Sequence, residues 1–129
     1  MTACAPQMQL IEVSAAGGPE NLTPGRRLRP VAQSGELLVK VAYAGVNGPD
    51  IMQRKGLYPP PQGASHILGL EIAGEVVAAG DNTRRWKVGE TVRGLPQPVV
   101  NEVLPLAQAA QAHRLMEAAR HRGKIVLKV

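Results

Sequence analysis

Aromatic residues are almost absent from this sequence. Its 129 residues include no Phe, one Trp (Trp86) and two Tyr (Tyr43 and Tyr58). The hydrophobic core must therefore be built from Val, Leu, Ile and Ala, which suit the packed face of a pleated sheet. Nucleic-acid sites need aromatic platforms and clustered basic residues. The net charge is +5, but the basic residues are scattered, so we expect no nucleic-acid partner.

Cysteine and long apolar runs are also scarce. Cys4 is the single cysteine, which excludes an internal disulfide and a zinc cluster built on cysteines. No run approaches the roughly 18 apolar residues of a membrane span, so we expect no membrane partner. The first ten residues lack the basic and apolar regions of an export signal. The sequence therefore predicts a cytoplasmic protein.

Long helical patterns are few, because 14 Gly and 11 Pro punctuate the chain. Alternating or continuous apolar runs between these residues predict short strands. The clearest is 35–46, where two faces alternate. The predicted strands are residues 8–13, 22–30, 35–46, 72–79, 88–92, 99–103 and 124–129.

Two helices are predicted. The first is a short one near Pro49, with Asn47 as its cap and Gly56 at its end. The second spans residues 105–121, with Pro105 in the first turn and one apolar stripe at i, i+3, i+4 spacing. His113 lies on that stripe, where a packed, hydrogen-bonded histidine is favoured over a ligand.

Residues 67–92 are the stretch around which the rest is organised. Three short apolar runs alternate there with glycine-marked turns, at 80–82 and 87–90. Gly69 and Gly74 lie inside the apolar pattern, which indicates a bulge, a bend or a close backbone approach. Taken alone, the stretch predicts a β-barrel with bent strands.

The same stretch carries a family resemblance. Its pattern G-x-E-x-x-G-x-V-x-x-x-G, followed by W-x-V-G-E-x-V, resembles the barrel core of the medium-chain dehydrogenase/reductase family. The motifs AGVNGPD and GLYPPP are similar to those of its zinc-free NAD(P)H:quinone oxidoreductases, the relatives of zeta-crystallin. The resemblance implies a mainly β fold: a GroES-like barrel with one C-terminal helix and a short helix near Pro49.

The dinucleotide-binding domain of that family has no counterpart in the sequence. No G-x-G-x-x-G follows a strand and opens a helix, as pyrophosphate binding requires. Residues 1–93 resemble the family's N-terminal part and residues 98–129 its C-terminal part. We expect one substrate-side domain over 1–129, rejoined near 94–97 after loss of the nucleotide domain. An engineered deletion is favoured over a natural gene, and sequencing of the parent gene tests this.

The resemblance also bears on metal. Zinc-dependent members carry a cysteine where Asn47 stands and a histidine where Leu70 stands. Neither Asn nor Leu is a normal zinc ligand, so no metal site is expected. Glu71, beside Leu70, is interpreted as a structural carboxylate in preference to a catalytic one.

In the quinone oxidoreductases a hydride passes from the nicotinamide to a quinone, and the cofactor supplies the chemistry. By resemblance, Asn47 and Tyr58 are the catalytic candidates that face the nicotinamide and the quinone, and Asn47 and Lys124 are the cofactor-binding candidates. Tyr58 has the alternative of packing on Pro59, and Lys124 that of a solvated strand end. Gly48 is smaller than the residue that close relatives often carry at this position.

Two functions remain open at this point. The first is the catalytic domain of a quinone oxidoreductase, which uses NADPH in a full-length parent but binds none in this chain and is inactive alone. The second is a non-enzymatic scaffold that forms homo-oligomers through the former domain face, since exposed apolar patches and strand edges promote association. A co-chaperonin function rests on fold analogy alone.

Overall fold

A computed structural model describes residues 5–93 and 100–129 of the chain. Its seven strands and two α-helices alternate with turns and two single-turn 3₁₀ helices, Pro19–Asn21 and Leu106–Gln108. The helices are α1 (Gly48–Arg54) and α2 (Ala109–Ala118). The strands are β1 (Gln7–Val13), β2 (Leu22–Leu28), β3 (Leu37–Val46), β4 (Glu71–Ala79), β5 (Thr91–Arg93), β6 (Val100–Pro105) and β7 (Lys124–Lys128).

The strands form two open sheets. Strands β1 and β2 make an antiparallel hairpin, and the other five form a sheet in the order β5-β4-β3-β7-β6. Within the larger sheet only the β6–β7 pair is parallel. Strand β7, near the end of the chain, lies between β3 and β6, so the C-terminal part of the chain completes a sheet begun by the N-terminal part.

The core lies between the hairpin, the larger sheet and α2. Its centre is aliphatic and includes Ile11, Val46, Ala112 and Ile125, the last two without exposed surface. No aromatic side chain belongs to this cluster. The prediction of a core built from Val, Leu, Ile and Ala is therefore confirmed, together with the mainly β fold.

A glycine sets the close pairing of β3 and β4. Gly74 lies opposite Val41, beside an irregularity in the register between Val41 and Tyr43. A methyl group built at Gly74 would collide with the carbonyl oxygen of Lys40. The predicted close backbone approach is thus confirmed at Gly74.

The turns of the central stretch also follow the prediction. Asn82 has φ 66° and Gly89 has φ 92°, the left-handed region that tight turns require. The chain reverses at both places and returns as β5. All seven predicted strands are present, but β5 is shorter than 88–92 and begins at Thr91.

The second helix is the main correction. Helix α2 was expected over 105–121 but spans Ala109–Ala118. Pro105 is the last residue of β6, paired with Lys128, and was wrongly placed in a helical first turn. Sequence alone does not show that pairing, and proline is tolerated at a strand end. Ala119 ends the helix with φ 53°.

The proposed junction at 94–97 and residue 99 lie outside the described residues. The remainder of the predicted strand 99–103 is confirmed and continues to Pro105. Helix α1 begins and ends as predicted, with Asn47 in the N-cap position and Gly56 at φ 76° after its last turn.

Candidate functional site

A cluster of three polar side chains lies at one end of the larger sheet. Glu71 Oε2 accepts a hydrogen bond of 3.1 Å from Asn47 Nδ2 and lies 2.7 Å from Lys124 Nζ. Lys124 Nζ also donates to Asn47 Oδ1. Each member therefore contacts the other two, and we call this set the Asn47–Glu71–Lys124 cluster.

Three elements bring the cluster together. Asn47 joins β3 to α1, Glu71 begins β4 and Lys124 begins β7. In the sheet register Gly45 lies opposite Glu71. A methyl group at Gly45 would collide with the Glu71 carboxylate, so the glycine leaves the space that the carboxylate occupies.

Hydrogen bonds at the start of helix α1 fix the backbone of Asn47. The Asn47 N–H donates a 2.8 Å hydrogen bond to Asp50 Oδ2, and the Asp50 N–H bonds to the Asn47 carbonyl at 3.1 Å. The backbone of Asn47 is therefore fixed by α1, while its side-chain amide is fixed by Glu71 and Lys124.

The charge state of the cluster follows from these contacts. Burial acts to raise the pKa of Glu71, but the hydrogen bonds from Lys124 and Asn47 outweigh it and hold the pKa below its ordinary value. Burial has the opposite outcome at Asp50, whose pKa is raised despite its bond to the Asn47 backbone. Glu71 is thus a carboxylate paired with an ammonium group and an amide.

The cluster leaves two groups that can donate to a ligand. The Asn47 amide has two N–H groups and the hydrogen bond to Glu71 uses one of them. The second N–H and the partly exposed Lys124 ammonium group, whose side chain is 22% exposed, are the groups able to meet an incoming oxygen.

Tyr58 lies apart from this cluster. Its side chain is 54% exposed, and the structure gives its hydroxyl no hydrogen bond to any of the described residues. It lines a shallow groove with Pro49, Met52 and Met116, and a second one with Pro59 and Pro60. The structure therefore unites Asn47 with Lys124 but does not join Tyr58 to them.

An apolar cleft of about 370 Å³ adjoins the cluster on one face of the larger sheet. Glu71 and Lys124 stand in its wall, and Arg93 carries a further positive charge there. Its apolar part consists of Tyr43, Ile72, Ala73, Val100, Val103 and Val126.

No group of three or more His, Cys, Asp or Glu side chains able to hold a metal ion occurs within residues 5–93 and 100–129. Asn47 and Leu70 are in the places where the sequence comparison put zinc ligands, and Leu70 is 66% exposed. No helix among the described parts of the chain is long and apolar enough to cross a membrane.

A second polar network was missed by the sequence reasoning. Arg54 has no exposed surface, and it donates to the Gly17 carbonyl at 2.9 Å, to His113 Nδ1 at 3.1 Å and to Glu117 Oε1 at 3.0 Å. Lys55 also pairs with Glu117, at 2.8 Å. The sequence signal that could have indicated this network is Arg54 itself, a basic residue on the buried face of the short helix α1.

This network explains His113. Burial, together with the positive charge of Arg54, lowers the pKa of His113 to about 4. The bonds from Lys55 and Arg54 lower the pKa of Glu117 to about 2. The prediction that His113 is a packed, hydrogen-bonded residue is confirmed.

Comparison with known proteins identifies the family to which this region of the chain belongs. The model of the alcohol dehydrogenase GroES-like domain matches residues 33–113. That range contains β3, α1 and β4, and therefore Asn47 and Glu71. Lys124 lies beyond it.

Individual relatives extend the match. A quinone oxidoreductase of Pseudomonas aeruginosa is 39% identical over 107 residues, which cover 80% of this chain and 32% of that protein. The synaptic vesicle membrane protein VAT-1 homolog-like of Mus musculus is 32% identical over 88 residues, or 68% of this chain and 21% of that protein.

A solved structure of a quinone oxidoreductase is also similar to this chain. The quinone oxidoreductase of Escherichia coli, crystallised with NADPH, superposes with a TM-score of 0.58 and 36% identity. The superposition covers 67% of this chain and 26% of that one. The chain thus spans a third or less of the length of these three proteins.

Proposed function

The chain belongs to the alcohol dehydrogenase GroES-like domain family, and from this we propose that it is the substrate-side domain of a zinc-independent NAD(P)H:quinone oxidoreductase. In a complete enzyme that domain holds a quinone while a hydride arrives from the nicotinamide. The observation that carries the proposal is the Asn47–Glu71–Lys124 cluster, in which Asn47 is held by two charged partners. The family resemblance implies a zinc-ligating cysteine at this place in zinc-dependent members.

The role proposed for Asn47 is to donate a hydrogen bond to the quinone oxygen that gains negative charge. The hydrogen bonds to Glu71 and Lys124 fix the orientation of its amide before the reaction, so little reorganisation is needed. NADPH supplies the hydride when it is bound. Tyr58, exposed at the groove beside Pro49, is proposed as a second contact for the substrate.

Only part of the Lys124 ammonium group is available to bind a cofactor phosphate. Its ammonium group already pairs with Glu71 at 2.7 Å, which offsets its charge. The partly exposed remainder of that group is available for one further oxygen, as the proposal requires. No described stretch of the chain provides a glycine-rich turn before a helix that would hold the pyrophosphate.

The second part of the proposal is that the 129-residue chain transfers little or no hydride alone. We expect NADPH oxidation with a simple quinone, followed at 340 nm, to proceed at the rate of the buffer. Oxidation well above that rate, or saturable stoichiometric uptake of NADPH, would overturn this part.

A chimaera tests the first part. The nucleotide-binding domain of a quinone oxidoreductase is inserted at residues 94–97, where the chain is proposed to be rejoined. We expect NADPH-dependent quinone reduction to appear, and Asn47→Ala to lower kcat about 100-fold, as loss of an oxyanion donor does. Gln62→Ala, an exposed polar residue in the loop that bears Tyr58, is the matched control and should leave the rate unchanged.

A folded chimaera that binds NADPH but reduces no quinone would contradict the assignment. Equal rates for Asn47→Ala and Gln62→Ala would refute the role of Asn47 while leaving the domain assignment intact. The two results are therefore distinguishable.

Assembly is the second candidate function, and the apolar cleft favours it. Tyr43, Val100 and Val103 are 40–50% exposed on that face, and β5 and β6 form the two edges of the larger sheet. Light scattering after size exclusion tests it. A concentration-dependent dimer lost in Val103→Lys would support assembly, and a monomer at all concentrations would refute it.

A further inference from the structure

A separate cavity of about 260 Å³ lies inside the domain, between the β1–β2 hairpin, the larger sheet and α2. Its inner end is formed by buried residues, among them Val46, Ala109 and Leu127. Its outer end is formed by Gln9, Gly69 and Val129, which are exposed. The cavity thus connects the core with solvent and does not include the Asn47–Glu71–Lys124 cluster.

Asp50 is the unexplained group in this cavity. It is only 2% exposed, and its Oδ2 accepts the Asn47 N–H at 2.8 Å. Its other oxygen, Oδ1, is buried and makes no hydrogen bond within the described part of the chain, although the backbone of Gly69 lies close enough to act on the carboxyl group. An unpaired buried carboxylate oxygen costs free energy unless a donor reaches it. The cavity that Asp50 lines is the place from which a donor can come.

The surroundings restrict the charge of that donor. Arg54 stands behind His113, which also lines the cavity, and Lys124 acts on Asp50 through space. Because a guanidinium group only donates, His113 Nδ1 is the acceptor from Arg54 and the imidazole is neutral with its proton on Nε2. Arg54 is paired with Glu117 and Lys124 with Glu71, so these charges largely cancel, and the aliphatic walls disfavour a charged ligand of either sign.

From this geometry we propose that the cavity binds a small, uncharged aromatic molecule with one hydrogen-bond donor, of the size of phenol or indole, whose donor bonds to Asp50 Oδ1. The size is adequate, since a dry cavity of about 150 Å³ holds benzene. The apolar remainder of the ring would contact Leu10, Ile67 and Leu127, which line the same space. This binding site is independent of the function proposed above.

The test is a titration of the 129-residue chain with indole and with 1-methylindole, which lacks the N–H donor, followed by ¹H–¹⁵N NMR. We expect saturable shifts centred on Val46, Asp50 and His113. The affinity for 1-methylindole should be weaker by about tenfold or more, because a hydrogen bond to a charged acceptor is lost.

Two variants localise the site. Ala44→Leu places a larger side chain in the cavity wall and should abolish binding, whereas Ala42→Leu, at an exposed position of the same strand outside the cavity lining, should not. Asp50→Asn should remove most of the preference for indole. Should that variant fail to fold, the indole pair and the two alanine variants still decide the question.

Three results would overturn the proposal. One is the absence of saturable shifts, which indicates that only water reaches Asp50. Another is equal affinity for the two indoles, which leaves no role for the carboxylate. The third is a set of shifts confined to the cleft around Tyr43 and Val126.

Discussion

Lys124 and Glu71 are the first residues of β7 and β4, and their Nζ and Oε2 atoms lie 2.7 Å apart. The contact joins the C-terminal part of the chain to the N-terminal part across β3, which lies between the two strands. Asn47, at the end of β3, bonds to both partners. One ion pair therefore connects the ends of three neighbouring strands and fixes the amide on which the proposed function depends.

The first prediction is that this ion pair is energetically coupled. In a double-mutant cycle of Lys124→Met and Glu71→Gln, we expect a coupling energy of about 1–2 kcal/mol, as for contacting, partly buried charges. Urea denaturation at pH 7 measures it. The exposed pair Arg27–Glu12, at 2.9 Å, is the control and should give about 1 kcal/mol or less. Equal coupling in both cycles would contradict the prediction.

The second prediction concerns Arg54. Arg54→Met should destabilise the domain by about 3 kcal/mol, because it leaves the Gly17 carbonyl and His113 without their donor and removes one of the two partners of Glu117. The free energy of unfolding in urea measures this.

Arg54→Lys should restore only part of that loss, since one ammonium group does not reproduce the fork of a guanidinium group. Arg27→Met, which removes an exposed arginine from its ion pair, is the matched control and should cost about 1 kcal/mol or less. A loss for Arg54→Met no larger than the control's would show that the network is not stabilising.

The third prediction is a loss of stability between pH 6.5 and pH 4. The pKa of His113 is about 4 in the folded chain, against an ordinary value of 6.5. In this pH range His113 is protonated in the unfolded chain but not in the folded chain. The free energy of unfolding therefore falls as the pH falls. The full change in the pKa of His113, from 6.5 to about 4, corresponds to a loss of about 3 kcal/mol in the free energy of unfolding.

The variant His113→Gln isolates this effect, because Gln keeps an acceptor for Arg54 but does not titrate. Its free energy of unfolding should vary less with pH than that of the unsubstituted chain between pH 6.5 and 4.5. Parallel curves for His113→Gln and the unsubstituted chain would exclude His113 as the cause.

Glu117 acts at lower pH. Its pKa is about 2 in the folded chain, against an ordinary value of 4.5. Its contribution to stability is therefore complete above pH 4.5 and is lost as the pH falls towards 2.

The fourth prediction separates two glycines. Gly74→Ala should destabilise by about 1–3 kcal/mol, because the new methyl group meets the carbonyl oxygen of Lys40 and the β3–β4 pair must shift. Gly48→Ala, in the first turn of α1 with open space around it, should be neutral or stabilising by up to about 1 kcal/mol. Thermal unfolding of both variants gives the comparison, and a tolerated Gly74→Ala would refute the close approach.

Much of the fold was predictable because its signals are local. Alternating apolar residues, glycine-marked turns and a Pro-Asp pair after Asn47 fixed the strands and α1 within a few residues. The limits of α2 were wrong because Pro105 also suits a strand end, and its pairing with Lys128 is a long-range event. For the same reason Arg54 escaped notice, since its partners come from Gly17 and from α2.

The sequence by itself determined the strands and turns, the aliphatic core and the family. Those properties depend on local backbone preference and on motifs of fixed spacing. Only the tertiary structure decided that Lys124 meets Asn47 and Glu71, that Tyr58 stands apart from them, and that Asp50 faces a cavity with one oxygen unpaired. Those contacts depend on β7 entering between β3 and β6, which no local pattern encodes.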